Sequence, residues 1–249
     1  MAQSELLKRI EDLADRCDRQ NTVTATGFLT PAEQYELQSW TAAHPDARLL
    51  LSGGQDGCER QRAFFLPEWL AAEDHDLSEY IRALRIDAYY GEPGHRDYLG
   101  AALGLGIQRE WLGDLRVHGT TAYVFCLPSV EPLLRDELDK VGRVSVKVRP
   151  CPLADVPAPD RKVKHLSFTV KSLRLDAVIG SMFGLSRTAA AELIRMGAAS
   201  LNYTPCDKVD APVKEGDVLS LRGHGKGIVA AVGGRSRKDR LFIEAEIYL

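Results

Sequence analysis

Three arginines in the C-terminal half are the residues whose spacing best fits a chemical task. Arg187 and Arg195 are eight residues apart, which on a helix places both guanidinium groups on one face at about 12 Å. Arg174 opens the helical pattern that precedes them. Guanidinium groups match phosphate as planar hydrogen-bond donors, and helix N-termini add partial positive charge. The arrangement therefore favours contact with a phosphate backbone, although any one arginine taken singly is more often a solvated side chain.

The segment from Lys171 to Asn202 must position these cations, and its pattern predicts two short helices, a tight turn and a strand. Ser186 stands where an N-cap belongs, Gly184 breaks the first helix, and Gly197 suits a left-handed C-cap. Apolar residues recur at helical spacing in both helices. The residues predicted to face inward are Leu175, Val178, Ile179, Met182, Phe183, Ala189, Ala190, Leu193, Ile194 and Met196.

Charge is distributed unevenly along the 249 residues, although the net charge is only −3. Residues 161–249 carry 15 Lys and Arg against 9 Asp and Glu, whereas residues 1–160 carry 17 against 26. A basic segment on an acidic protein predicts a polyanion contact confined to that segment. The net charge alone hides this difference.

Length and composition predict a cytoplasmic globular protein with two or three domains. No membrane span is expected, since no run of about 18 apolar residues occurs in the sequence. The start of the sequence, MAQSELLKRIEDLADRC, predicts a charged helix rather than a signal peptide. The five cysteines are scattered without a C-x-x-C pair, which favours reduced, structural thiols. We expect no metal and no cofactor.

An α+β fold class follows from the order of elements, and residues 1–75 are predicted to form a small α/β unit. Helices are expected at 3–20 and 31–43, the second with Thr30 and Glu33 as a capping box. Strands are expected in LLLSGG and near residues 63–66. Gly53 and Gly54 favour a plain turn, because no Lys-Ser/Thr follows as a phosphate-binding loop requires.

Residues 76–150 predict a ferredoxin-like domain, a βαββαβ sheet with both helices on one face. Many RNA-binding domains use the open face of such a sheet. Tyr123 and Phe125 alternate onto one face of the third strand, but Thr120 and Thr121 precede them, so packing in the core is the favoured role of both rings. The expected elements are strand 81–89, helix 95–105, strands 111–117 and 121–127, helix 128–138 and strand 143–149.

Four prolines between Pro150 and Pro159 predict a linker at 151–162, followed by a basic domain at 163–249 that begins beside Arg161 and Lys162. Strands are expected in this domain at 198–201, 218–221, 228–232 and 241–247. The last two would form a C-terminal β-hairpin whose tip is cationic, and phosphate contact and a solvated turn are equally good interpretations of that tip. Its cations are Arg235, Arg237, Lys238 and Arg240.

Several motifs only look catalytic. His95-Arg96-Asp97 copies part of a kinase catalytic loop, but the asparagine required five residues later is absent from the sequence. Arg174-Leu175-Asp176 resembles the start of a pseudouridine synthase motif whose Thr and Gly do not follow. His95, Arg96 and Asp97 either make a second RNA contact or pin the loop before their helix, and the sequence leaves both open.

The stretch SLRLDAVIGSMFGLSRTAAAELIRMGAASLN…VKEGDVLSLRGHGKG resembles an S4-type RNA-binding domain. Tyr203 departs from it, because glycine usually follows the asparagine there. GGQDGCERQR and GHRDYLGAALGLGIQREWLGDLRV are similar to segments of YlmH-type proteins, with Gln55 in place of a usual tyrosine. The resemblance covers residues from about 28 to 240.

This resemblance implies a non-enzymatic, monomeric protein that binds ribosomal RNA or tRNA on the ribosome, specifically on a large subunit with an obstructed peptidyl-tRNA. An RNA-modifying enzyme that uses the S4-type domain for targeting is the alternative. The predicted RNA-binding residues are Lys171, Arg174, Ser186, Arg187, Arg195, Asn202, Lys208, Arg222, Lys226, Arg235, Arg237 and Lys238.

Overall fold

A computed structural model of the chain describes residues 4–159 and 163–248. The chain divides into two units, Met1–Pro159 and Asp160–Leu249. Each unit has its own buried apolar cores. Arg161 and Lys162, expected to begin the basic domain, lie outside the described residues.

The first part of unit 1 packs two helices on a three-stranded antiparallel sheet of order β1-β3-β2. Ser4 caps α1, and the predicted capping box of α2 is confirmed, since Glu33 accepts a 2.6 Å hydrogen bond from the backbone N–H of Thr30. The elements are α1 Glu5–Gln20, β1 Thr24–Ala25, α2 Pro31–Ala43, β2 Leu49–Ser52 and β3 Arg62–Phe65.

The second part of unit 1 is an antiparallel sheet of order β5-β6-β4-β8-β7. Both of its helices pack on one face through Tyr98, Ala102 and Leu134, as the sequence predicts for its βαββαβ order. The short edge strand β7 was not predicted. The elements are β4 Arg82–Ala88, α3 His95–Gly104, β5 Leu112–His118, β6 Thr121–Cys126, α4 Glu131–Glu137, β7 Lys140–Val141 and β8 Val144–Cys151.

Each part of unit 1 has a core cluster of its own, and a further cluster spans the boundary expected between residues 75 and 76. Phe28 and Phe64 from the first part pack in one cluster with Phe125 from the second part. Phe28 and Phe64 are far from Phe125 in the sequence, and no local pattern predicts that these rings pack together. Residues 1–75 and 76–150 therefore belong to one unit.

The expected linker at 151–162 also differs from the structure over its described residues. Val156 is buried, and its carbonyl accepts a 2.7 Å hydrogen bond from the Gln55 side chain. The carbonyl of Pro157 accepts a 2.7 Å bond from Arg116. Prolines lack the N–H that regular structure needs, but their carbonyls still accept hydrogen bonds from side chains. The segment through Pro157 therefore packs within unit 1.

Unit 2 is a six-stranded antiparallel sheet of order β11-β10-β12-β13-β14-β9, covered on one face by two helices. The predicted strands and the C-terminal hairpin are present, whereas β9 and β11 were not predicted. The elements are β9 Val163–Val170, α5 Leu175–Met182, α6 Arg187–Arg195, β10 Ala199–Leu201, β11 Thr204–Pro205, β12 Val218–Leu221, β13 Gly225–Arg235 and β14 Leu241–Tyr248.

The helix pair has the predicted caps but one wrong inward residue. The Ser186 hydroxyl accepts a 3.1 Å hydrogen bond from the N–H of Ala189, and Gly197 has φ +71°. Met196, predicted to be buried, is 79% exposed. Helix α6 ends at Arg195, so Met196 lies beyond its last turn, whereas Ala190 and Ile194 lie in the core as predicted.

No single described helix is long and apolar enough to cross a membrane. Helices α5 and α6 together reach that length and apolarity, but they are bent by 115° and their apolar residues pack on the sheet of unit 2.

Candidate nucleic-acid interface

A cleft of about 180 Å³ in unit 2 brings cations from three parts of the chain together. Lys171 directly follows β9, Arg187 is the first residue of α6, and Arg240 directly precedes β14. The buried side chain of Asp176 also lines this cleft. We call these four residues the cationic cleft. Its three cations and single carboxylate give it a net positive charge.

Asp176 organises two of the arginines that the sequence identified. Its carboxylate accepts hydrogen bonds of 3.2 and 3.3 Å from Arg174 and of 3.0 Å from Arg187. Burial acts to raise the pKa of Asp176, but these hydrogen bonds outweigh it and hold the pKa below its usual value. The Arg187 side chain is still 57% exposed, which leaves guanidinium surface open to a phosphate.

Arg240 is part of the cleft, although the sequence placed it only at the tip of a hairpin. Its guanidinium donates to the Thr169 hydroxyl at 2.9 Å and to the Thr169 carbonyl at 2.5 Å. This contact exists because β9 pairs with β14, and β9 was missed. The alternating apolar residues Leu166, Phe168 and Val170 were the available signal for that strand.

Lys226 lies beside two aromatic rings on the face of the sheet opposite the helices. Its ammonium group lies 4.9 Å from the ring centre of Tyr248 and 5.9 Å from that of Tyr203. Tyr203 occupies the left-handed region with φ 65°, so the turn keeps its shape without the usual glycine. Two aromatic rings beside a cation suit nucleic-acid contact.

Asn202 and Ser186, both predicted to contact RNA, have structural partners. The Asn202 amide donates to Asp217 at 2.9 Å, and its side-chain oxygen accepts from the N–H of Val218 at 2.9 Å. The Ser186 hydroxyl caps α6. Both residues shape the surface through these bonds.

The remaining predicted cations of unit 2 are exposed. Arg195 ends α6, and Lys208 and Arg222 lie in loops. Arg237 and Lys238 lie in the turn between β13 and β14. Arg235 forms a 2.6 Å ion pair with Asp239 across the same turn.

His95, Arg96 and Asp97 begin α3, in the helical layer of unit 1. The Asp97 carboxylate accepts a 2.8 Å hydrogen bond from the N–H of Gly94, which is the pinning role that the sequence offered as one alternative. His95 and Arg96 are exposed.

Features that resemble catalytic sites have structural explanations. A Cβ at Gly53 would come within 2.3 Å of the Cys58 Cβ and 2.6 Å of the Arg60 carbonyl oxygen, so close packing requires this glycine. Burial raises the pKa of Cys58 to about 11 and that of Cys126 to about 12, which keeps both thiols protonated. Among the described residues, no group of three or more His, Cys, Asp or Glu could hold a metal ion.

Comparisons with known proteins assign the chain to a class and then to a family. Residues 75–155 match the family model described as "Putative RNA-binding domain in YlmH". This match places the chain among proteins that carry an RNA-binding domain of this kind.

The chain belongs to the YlmH family. It is 32% identical over 215 residues to "Ribosome-associated protein quality control protein P2" of Bacillus subtilis (strain 168), a match that covers 86% of this chain and 83% of the relative. Its fold also resembles "Cell division protein ylmH from Streptococcus pneumoniae", with a TM-score of 0.54 and 21% identity over 62% of this chain and 96% of that chain.

Proposed function

We propose that the chain is a non-enzymatic adaptor that binds ribosomal RNA or tRNA on the large ribosomal subunit, where an obstructed peptidyl-tRNA is present. The cationic cleft carries this proposal, because an exposed arginine held by a buried carboxylate is a preorganised phosphate contact. The name of the Bacillus subtilis relative supports a place on the ribosome. The protein acts in the cytoplasm as a monomer.

Within this proposal, residues 163–248 act as an S4-type RNA-binding domain and residues 76–150 as a ferredoxin-like one. The helix pair and the following strand β10 support the first assignment, and the βαββαβ sheet supports the second. His95 and Arg96 are candidates for a second RNA contact. The exposed cations of unit 2 extend the phosphate contact beyond the cleft.

Binding to purified ribosomal particles tests the proposal. The chain is to be sedimented with large subunits that carry a stalled peptidyl-tRNA, with empty large subunits and with small subunits. We expect the first particle to be bound most tightly, and Lys171→Ala to weaken that binding about tenfold, since one charged hydrogen bond to phosphate is lost.

Lys8→Ala is the matched control, because it removes the same charge from an exposed position on the acidic unit 1. Equal loss of affinity in the two variants would contradict a contact through the cleft, and equal binding of all three particles would contradict the large-subunit assignment. A single RNA modification lost from cells without the protein would instead favour a modifying enzyme.

A further inference from the structure

The five-stranded sheet of unit 1 has a second face, on the side away from helices α3 and α4. Side chains alternate along a strand, so when Leu84, Ile86 and Val124 face the helices, their neighbours in sequence face the other way. On β4 these neighbours include Arg85 and Asp87. The charged and aromatic residues on the accessible part of this side, which we call the open face, are Arg85, Asp87, Tyr89, His118, Tyr123, Lys140, Lys147 and Arg149.

Only one end of this side of the sheet is covered by the first part of the unit. Phe125 is fully buried against Phe28 and Phe64, which confirms the core role expected of its ring. The other end is accessible. Tyr89 is 68% exposed and the Arg149 side chain is 54% exposed. Tyr123, also expected in the core, is half-buried: it packs against the cluster of Phe28, Phe64 and Phe125 but keeps part of its surface accessible.

Strand register arranges the open face in rows of aromatic and cationic side chains. Tyr123 pairs with Arg85, which in turn pairs with Arg149. Directly after β4, the N–H of Tyr89 donates a 3.1 Å hydrogen bond to the carbonyl of Ser145, the cross-strand partner of Lys140. Each aromatic ring therefore has a cation in or beside its own row.

His118 adds a third ring beside the first row. Its ring lies 6.1 Å from that of Tyr123 in an edge-on arrangement. The two rings form a continuous aromatic edge to the cations of β4 and β8.

Four cations and one carboxylate occupy this face, although residues 1–160 carry an excess of acidic residues. Asp87 accepts a 2.8 Å hydrogen bond from Arg85, a 3.1 Å bond from Thr121 and a further bond from Arg149. Burial acts to raise the pKa of Asp87, but these bonds outweigh it and the pKa is lowered. Asp87 thus stays ionised and holds both guanidinium groups on the sheet.

We propose that the open face binds a short single-stranded RNA segment. Bases stack on Tyr89 and Tyr123, and the cations of β4 and β8 hold the phosphates. The inference rests on the proposed RNA-binding function and names the contact within the matched residues 75–155.

Single-stranded RNA fits this face better than a duplex, because paired bases do not expose their rings for stacking. Tyr123 lies opposite Arg85, and Tyr89 is four residues farther along the strand, a distance of about 13 Å. That distance is about four times the rise of ~3.4 Å between successive nucleotides of a strand. A segment of a few nucleotides can therefore reach both rings.

Fluorescence anisotropy with the full-length chain tests the inference. The probe is a labelled eight-nucleotide RNA of mixed sequence without self-pairing, and the competitor is the same RNA in duplex form. Tyr89→Ala is expected to weaken binding of the single strand about tenfold, as loss of one stacking platform does. Tyr90→Ala is the matched control, because Tyr90 is a neighbouring tyrosine that is also exposed. The affinity of this variant for the single strand should stay within twofold of the wild type.

Crosslinking separates the open face from the surfaces of unit 2. When the RNA carries 4-thiouridine, we expect crosslinked peptides that contain Tyr89 or Tyr123. Unchanged affinity in Tyr89→Ala, crosslinks confined to residues 163–248, or equal competition by the duplex would each overturn the inference. If ribosome binding still depends on Lys171, the proposed function stands even when the inference fails. If ribosome binding does not depend on Lys171, the contact through the cationic cleft is contradicted, but RNA binding by the open face is not.

Discussion

Replacing Asp176 by asparagine should destabilise unit 2 and leave unit 1 unchanged. Asp176 is 4% exposed and accepts three hydrogen bonds from Arg174 and Arg187. A hydrogen bond to a charged group contributes about 1.5–3 kcal/mol, and the exposure of both arginines reduces that value. We therefore expect a loss of about 2 kcal/mol, because asparagine keeps the shape and one acceptor but loses the charge.

Amide hydrogen exchange on helices α5 and α6 measures this loss. A change of about 2 kcal/mol corresponds to exchange about 30-fold faster for amides that open with the whole unit. The chain provides an internal control, since all three tryptophans, Trp40, Trp69 and Trp111, lie in unit 1. Their fluorescence midpoint in denaturant should not move. Asp207→Asn, which changes an exposed aspartate of the same unit, is the matched variant.

The sign of the pH dependence gives a further check on Asp176. Its pKa in the folded protein is lowered, so its contribution to stability is fully present above the ordinary value of about 3.9. That contribution is lost as the pH falls through the lower, folded-state pKa. The difference between wild type and Asp176→Asn should therefore close over this acidic range. A difference that is absent at pH 7, or independent of pH, would refute the role given to the carboxylate.

Three other substitutions test separate parts of the fold. Gly197→Ala should lower the free energy of unfolding of unit 2 by about 1–2 kcal/mol, because φ is +71° there, and an unchanged value in hydrogen exchange would count against this backbone. Met196→Ala should change that free energy by less than about 0.5 kcal/mol, since the side chain is exposed, and a larger loss would show that it is packed. Phe125→Ala should lower the free energy of unfolding of unit 1 by about 3–5 kcal/mol and move its tryptophan fluorescence midpoint, because the ring packs against both parts of that unit. An unmoved midpoint would contradict the shared core.

Local signals explain which parts of the structure the sequence predicts well. The caps at Ser186 and Thr30 and the left-handed Gly197 depend on residues within one or two turns. Their positions are confirmed. The helices and most strands follow from apolar periodicity for the same reason.

Contacts between distant segments explain what the sequence missed. Arg240 enters the cleft only because β14 pairs with β9, some 70 residues earlier. The shared core around Phe125 likewise depends on packing across the first two predicted domains. Met196 was misplaced because the periodic pattern continues one residue beyond the end of the helix. The sequence therefore predicted two residues that line the cationic cleft, Lys171 and Arg187, but not that Arg240 lies beside them.

Ribosome binding as a function of salt tests the central claim most directly. The dissociation constant for large subunits is to be measured from low to high salt for the wild type, Lys171→Ala and Lys8→Ala. If phosphates contact the cationic cleft, log affinity should fall linearly with log salt, and Lys171→Ala alone should make the slope shallower by about 1. An affinity that does not change with salt, or the same slope in all three proteins, would contradict the account.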